Sequence, residues 1–492
     1  MLERRSREQF EFFLCGSLRD LVPDEHVLAR VDRVLDLSWL HDMVAESYAA
    51  SVGRPAIDPE AALRLMLAGF LLGIVHDRRL IREAQVNLAI RWFAGYGLQE
   101  KLPDHSSLTR IRKRWGADLF RRIFEKSVQA CVAAGIAKGE VVHVDASLIR
   151  ADVSWESLVA RHVDDVADAN DDDSGRDETA ARNSKKTGKY KKVCTTDPDA
   201  SMATNGRNRR LEPSYKQHGV VDDECGVIVE IDVTTGEANE GDHILSRLDT
   251  AAQTTGVAIT LATADAGYAY GKVFGGLEER KISAVIPTKA EPIRSKVPLR
   301  RFRYDAHHDI VKCLRGKILR PNRTKVAYGR FFASKARDCK GCDLAAICLS
   351  PSRVTKAVVI VNDYPALLRA RRKRDRWGKE EKRLYRRHRW RSEGFHGEAK
   401  SWHGLARAVR RGLENMRIQS FLTAMAINLK RLAAAFFYYS GALSGAPFIK
   451  KSAPVDRRAA TSGSWVSLSV QQFAEDRLHR NMSSSTAPGC TS

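Results

Sequence analysis

Tyr385, Arg389, Glu393, His396 and Lys400 follow one another at spacings of four, four, three and four residues. On a helix of about 3.6 residues per turn they share one stripe roughly 80° wide. Leu384, Phe395, Ala399 and Trp402 form a separate apolar face that can pack on a core. A single carboxylate between an arginine and a lysine has two readings. It is an ordinary surface ion-pair row, worth about 0–1 kcal/mol, or it is a metal-binding carboxylate with phosphate-gripping cations beside it. Gly394 and Gly397 each weaken the helix by about 1 kcal/mol relative to Ala and admit a close neighbour.

Two acids far upstream favour the second reading. Residues 140–149, EVVHVDASLI, are β-branched and apolar, a buried strand with Asp145 near its end. VAITLATAD is another apolar strand, terminated by Asp265. The C-terminal ends of strands are where α/β sheets place ligands. A buried Asp needs a partner or a metal, although an isolated Asp at a strand end is also a common turn former.

A second set of candidate ligands is made of sulfur. Cys339, Cys342 and Cys348 stand in CKGCDLAAIC, and Cys313 can loop back as a fourth. The Cys-x2-Cys pair has the spacing of zinc ligands, and a Zn2+ there would be structural; reduced thiols are the other reading. The chain has 9 cysteines in 492 residues, too few for a disulfide scaffold, which fits a reducing cytosol.

The charge is strongly basic: 82 Lys and Arg against 60 Asp and Glu, a net of +22. From Arg369 to Arg391 there are thirteen Lys or Arg against Asp375, Glu380 and Glu381. A partner with dense negative charge is expected, and nucleic acid is the commonest. The start MLERRSREQF has no apolar core of a signal peptide. The apolar windows Ala61–Val75 and Phe421–Tyr439 contain Arg64 and Lys430 with Arg431, so no membrane span is expected.

The elements that must position these residues read in order. Residues 1–137 are helical: Asp58 and Pro59 open a buried helix, Ile81–Phe93 is a second periodic segment, and PDHSSLTRIRKRW opens a third carrying Arg110, Arg112, Lys113 and Arg114. This domain is expected to bind DNA, to self-associate, or to serve as a structural cap. From 138 to 437 the order is strand, insertion, hairpin, helix, strand, helix, strand, an α+β or α/β core with a mixed sheet. Residues 160–194, with opposite-charge blocks, read as a mobile insertion, and 290–355 as a Cys-rich one. Ala357–Asn362 is a final strand and NMRIQSFLTAMAINLKRLAAAFF an amphipathic helix. The tail 438–492, rich in Ser, Gly, Ala and Pro, reads as disordered.

Over roughly residues 50–435 the chain resembles DDE transposases of bacterial insertion sequences, from the group with a Tyr-Arg-Glu-Lys signature around the last acid. The resemblance is carried by RPAIDPEAALRLMLAGFLLGI and PDHSSLTRIR, by VDASLIRADVS with Asp145, by TTDPDA, by TADAGYAYGK with Asp265, and by HGLARAVRRGLENMRIQSFLTAMAINLKRL after Glu393. Arg389 and Lys400 flank Glu393 as in the signature. Tyr385 stands one residue ahead of the signature's tyrosine place, position 386, where this chain has Arg. The Cys cluster resembles one found in part of the family.

The resemblance implies a ribonuclease H-like catalytic domain. Asp145, Asp265 and Glu393 would be its catalytic carboxylates and would bind two Mg2+ or Mn2+ ions, with Asp145 bridging both. One ion would activate water and then a 3′-hydroxyl, and the other would stabilise the leaving oxygen. Arg389, Lys400, Tyr385 and His396 would contact DNA phosphates. The implied function is strand cleavage and strand transfer on double-stranded DNA, at transposon ends and target, by a homodimer or higher oligomer in the bacterial cytoplasm, at the nucleoid. The competing class is a catalytically inactive or domesticated sequence-specific DNA-binding protein, which would keep the basic surface and not need three acids. A zinc-dependent interaction protein would explain the cysteines alone.

Overall fold

The computed structural model of the chain describes residues 16–48, 56–162, 190–204, 211–289, 297–326, 328–350 and 353–443. The expected disordered tail lies outside them beyond Leu443, as does most of the expected insertion 160–194. The ends of that insertion are strands: β2 (Leu158–His162) and β3 (Tyr190–Cys194) pair antiparallel, Leu158 opposite Cys194.

The first part is helical: α1 (Val27–Asp32), α2 (Leu40–Val44), α3 (Pro59–Leu71), α4 (Asp77–Val86), α5 (Leu88–Phe93) and α6 (His105–Ala133, kinked at Gly116). Asp58 caps α3 as its position predicts, its carboxylate accepting the Glu60 N–H at 2.9 Å. Ile81–Phe93, expected as one segment, is broken at Asn87. That residue leaves the helical conformation and accepts the Ile90 N–H at 3.1 Å, capping α5. The basic run of α6 is also divided. Arg112 is only 3% exposed and forks onto the Asp77 carboxylate through two contacts of 2.7 Å, where Arg410 joins it. Arg112 therefore belongs to the interior and not to a surface that meets a partner.

The main sheet is built on β1 (Val141–Arg150). Along one edge β1 pairs antiparallel with β5 (Glu212–Asp222), which pairs onward with β6 (Ile228–Thr235) and, nearer its start, β4 (Ser201–Ala203). Along the other edge it pairs in parallel with β7 (Leu261–Ala264), and β7 with β8 (Ser283–Val285). The expected hairpin is thus β5–β6, and β1, β6, β7 and β8 all run the same way. Helix α7 (Glu240–Thr255) follows β6, and α8 (Gly271–Glu279) lies between β7 and β8.

Residues 290–355 were expected as a Cys-rich insertion, with Ala357–Asn362 a final strand after it. Instead β9 (Arg303–Asp305), β10 (Ile310–Lys312), β11 (Ile318–Val326), β12 (Gly329–Ala333) and β13 (Ala357–Val361) form a separate five-stranded antiparallel sheet. Val311, Leu319 and Phe332 are fully buried, enough to give it a small core of its own. The short helices α9 (Ala336–Cys339) and α10 (Ala345–Cys348) lie between β12 and β13.

Three helices end the described chain: α11 (Tyr364–Asp375), α12 (Lys379–Trp402) and α13 (Leu413–Leu443). The start of α13 is held by the TTDPDA segment: the Gly412 N–H donates to Asp197 at 3.2 Å and the Leu413 N–H to Asp199 at 2.8 Å, acids at a helix N-terminus. Helix α13 then packs against α6, α3, α1 and β6. Leu413–Tyr438 is long and apolar enough to cross a membrane by length and composition, but 67% of its apolar window is buried inside the protein.

The buried Asp77 links α4, α6 and the segment before α13. Asp77→Ala leaves Arg112 and Arg410 without their counter-charge, so it should cost about 3–5 kcal/mol in urea denaturation. A loss under about 1 kcal/mol would show that this pair is not an anchor.

Candidate active site

The β1–β7 ladder sets the geometry. Its last pair is Val144 with Ala264, so Asp145 and Asp265 come next, side by side on neighbouring strands about 4.8 Å apart. Asp145 is not at the end of its strand, as expected, but at its middle, where the parallel pairing stops and the antiparallel pairing with β5 continues. His143 and Thr263 precede the two acids on the same face.

Helix α12 lies across that face, held by a polar row beneath the acids. The Thr263 hydroxyl is 2.6 Å from His143 Nδ1 and 3.1 Å from His388 Nδ1, and His143 Nε2 is 2.8 Å from Asp223. Burial, with His143 adding, pushes His388 down to about 3, so it stays neutral. Gly219, opposite Asp145 on β5, admits the helix: a β-carbon there would stand 2.8 Å from the Phe395 ring. Gly394 and Gly397, expected to serve that purpose, have nothing within 4 Å of a built β-carbon. The close approach is made by the strand's glycine, not by the helix's.

The expected stripe on α12 divides. His396 is buried, with Nε2 3.7 Å from the Asp145 carboxylate, and neither ring nitrogen has a hydrogen-bond partner. Burial, with Lys400 and His388 adding, pushes its pKa down to about 3. Lys400 donates to the Ser147 hydroxyl at 2.6 Å, two residues beyond Asp145. Tyr385 stacks on His388 at 6.0 Å and lies 5.7 Å from the Trp377 ring. Arg389 and Glu393 face solvent, 79% and 63% exposed, and pair with each other, Arg389 Nε donating to both carboxylate oxygens at 3.1 and 3.2 Å. With Arg386, Trp390 and Gly394 they line a cleft of about 350 Å³. Upstream, Arg369, Arg372, Lys373 and Arg376 line another, with Glu381.

The three expected carboxylates therefore do not converge as a group. Among the described residues no three His, Cys, Asp or Glu side chains stand together closely enough to hold a metal ion. Glu393 has taken the nearest opposite charge, one helical turn away, instead of adding a third negative charge to the two aspartates. Burial pushes the Asp145 carboxyl up to about 7, and the charges of Asp265, Glu240 and Glu393 add to that. Asp265 is exposed and accepts the Gly267 N–H at 2.7 Å.

Cys313, Cys339, Cys342 and Cys348 are partly exposed free thiols. Cys339 meets the Ser334 hydroxyl at 3.1 Å. Burial raises the Cys348 thiol pKa against the pull of Lys356, and the other three cysteines add to the rise, so the four are neighbours. They are nevertheless not drawn into a ligand group, and the expected zinc site is not supported.

Glu240 was missed in the sequence. It opens α7 after the Asn239 cap, at the end of β6, which runs parallel to β1 and so delivers it to the same edge as Asp145 and Asp265. An acid just beyond a strand of this direction was the available signal.

A carboxylate held protonated by burial costs stability wherever the fold must ionise it. The cost is absent below the ordinary value of 3.8, grows as pH rises toward about 7, and is complete above. In metal-free buffer Asp145→Asn should therefore melt above the wild type at pH 8, by a margin on the order of a few kcal/mol that shrinks toward pH 5. An Asn variant less stable than wild type at pH 8 would mean that Asp145 is held by a favourable partner.

No curated protein matches the chain. Among solved structures it is similar to piggyBac transposase in the cryo-EM structure of its synaptic complex with hairpin DNA, at 12% identity and a TM-score of 0.34, over 94% of this chain and 82% of that one. Residues 312–433 match the model of a transposase DDE domain, which takes in Glu393 and its helix and leaves Asp145 and Asp265 outside. Residues 16–114 match that of a transposase domain (DUF772), and with both matches the chain carries transposase domains in its helical first part and around α12.

Proposed function

We propose that this protein is a DNA transposase that cleaves and transfers DNA strands at the edge of a ribonuclease H-like sheet. The observation that carries the reading is the pairing of Asp145 with Asp265 on adjacent parallel strands under α12, with the unpartnered His396 ring beside them. The sheet order β6-β5-β1-β7-β8, antiparallel then parallel, agrees with the mixed-sheet core expected of the chain. The transposase domain matches support the class of enzyme.

The site's chemistry fits divalent cations. A carboxylate pushed up to about 7 by burial and like charge is stabilised in its ionised form by any cation that enters. Oxygen ligands of this kind suit Mg2+ or Mn2+. Bound there, such cations supply an activated oxygen nucleophile and charge stabilisation for phosphoryl transfer.

The chain's own residues have separable tasks in this reading. Asp145 and Asp265 hold the cations. Lys400, poised on Ser147, offers a point charge to a phosphate oxygen. Arg389 and Glu393 must part before either can act, Arg389 swinging to a phosphate and Glu393 toward the aspartates. Neutral His396 can donate to or accept from a water at the Asp145 carboxylate. The clefts lined by Arg369–Arg376 and by Arg386 and Arg389 suit the DNA backbone. The helical domain of residues 1–137, joined to the sheet through α13, would grip DNA or a second copy of the chain.

A second reading, a catalytically inactive DNA-binding protein, is favoured by one observation: Glu393 is already paired and faces solvent. Strand cleavage in Mg2+ separates the two, using duplexes made from the DNA that flanks the coding sequence, with filter binding in parallel. Asp265→Asn should lower cleavage by at least about 100-fold, a barrier change near 3 kcal/mol, while binding without metal stays equal or tightens. Glu393→Gln should do the same if the Arg389 pair opens. Cleavage by Glu393→Gln within about threefold of wild type, under about 1 kcal/mol, would remove Glu393 from the site. Wild-type binding with no cleavage in Mg2+ or Mn2+ would leave the binding reading.

A further inference from the structure

The edge that carries Asp145 and Asp265 receives a third acid from a direction that the Asp-Asp-Glu pattern does not include. Helix α7 starts there, and its N-terminus is pressed against the turn after Asp265. A β-carbon on Gly241 would stand 2.5 Å from the Tyr270 ring, and Gly241 is buried. A β-carbon on Gly267 would stand 2.7 Å from Asp265 Oδ1 and 3.1 Å from Glu240 Oε2. These two glycines let the start of α7 and the turn after Asp265 approach each other closely.

We propose that Glu240 is a further acidic ligand of the catalytic cation site, on the Asp265 side, with the Tyr268 hydroxyl as the donor that positions it or a cation-bound water. The inference rests on the catalytic reading above.

Three observations carry it. First, Glu240 divides its oxygens. Oε1 lies 3.3 Å from Lys216 Nζ, which also donates to the Ala238 carbonyl at 2.7 Å, and Oε2 is the oxygen turned to Gly267. Lys216 thus anchors the carboxylate while leaving one oxygen for a ligand. Second, Tyr268 is fully buried and its hydroxyl has no hydrogen-bond partner. A buried hydroxyl left unpaired is costly, so such a group calls for a partner. The charges of Glu240, Asp145 and Asp265 add to burial in holding its proton, so the hydroxyl lies within their field. Third, the His396 ring, with two unpaired nitrogens, stands 3.7 Å from the Asp145 carboxylate. The turn after Asp265 and α12 thus each bring an unpaired buried polar group to the region of the acids.

The alternative role for Glu240 is a plain ion-pair partner of Lys216. The test uses Mn2+ titrated into the full-length protein without DNA, with free Mn2+ read by its EPR signal and folding followed by circular dichroism. Glu240→Gln should weaken Mn2+ binding by about tenfold or more at unchanged folding, the range seen when groups around a metal site are lost. Asp242→Asn, which removes an equal charge two residues away, should weaken it by less than about twofold. Asp265→Asn should abolish it. Tyr268→Phe keeps the question open to a decision should Glu240→Gln fail to fold. It removes an unpaired buried hydroxyl, so metal-free stability should hold or rise while Mn2+ affinity falls by about threefold or more. A merely structural tyrosine would not move the two readouts in opposite directions.

Glu240→Gln binding within about twofold of wild type, while Asp265→Asn abolishes binding, would overturn the role of Glu240 and leave the catalytic reading standing. Unchanged affinity in Tyr268→Phe would remove the hydroxyl from the site. Absence of saturable Mn2+ binding in the wild type, or binding that survives Asp265→Asn, would overturn the cation site itself and Glu240 with it.

Discussion

The parallel pairing of β1 with β7 is the constraint on which the candidate site depends. It brings two carboxylates to neighbouring positions at one sheet edge, where the charge of Asp265 adds to burial in raising the cost of ionising Asp145. Everything around the edge either supports that pairing or responds to its charge. The His143, Thr263 and His388 row ties α12 to the two strands directly beneath the acids. Gly219 removes the one β-carbon that would keep α12 off the sheet at the level of Asp145. Lys216 steadies Glu240 at the same edge.

Charge is divided between two uses. In the interior, cations neutralise buried acids: Arg112 and Arg410 on Asp77, and Arg121 and Arg247 on Glu230, whose side chain is 0% exposed. Such pairs are costly to break and contribute little as pairs. On α11 and α12 many cations are exposed and sit beside one another, and although some are paired, Arg369 with Glu278 and Arg389 with Glu393 among them, the excess charge falls on solvent or a polyanion. The acids at the β1–β7 edge therefore form a small negative site at the border of a basic surface. A site of that kind suits cations held between protein carboxylates and a phosphate backbone.

Much of the main sheet was legible because its strands are buried on both faces and read as continuous β-branched runs. Asp145 and Asp265 stood out as the polar residues that those runs carry. The helix stripe of α12 was legible in its period and not in its orientation: spacing places Glu393 and His396 on one side, but only packing decides that His396 is buried and Glu393 exposed. Of the sheet β9–β13 only β13, the apolar run AVVIV, was legible; β9 and β10 have three residues each, and β10, β11 and β12 carry a single fully buried large residue each. Arg112 looked like surface charge because its partner, Asp77, lies thirty-five residues away. Glu240 was hidden for the same reason, since its neighbours come from a strand and a turn far along the chain.

The most direct measurement maps a bound cation onto the polypeptide. Fe2+ with ascorbate, loaded in place of Mg2+ on the protein–DNA complex, cuts the backbone beside the ion it replaces. Cuts confined to the chain around Asp145 and around Asp265 to Tyr268, suppressed by excess Mg2+, are the expected result. Cuts at the cysteines of residues 339–348 or elsewhere, with residues 145 and 265 untouched, would contradict a cation site at the β1–β7 edge.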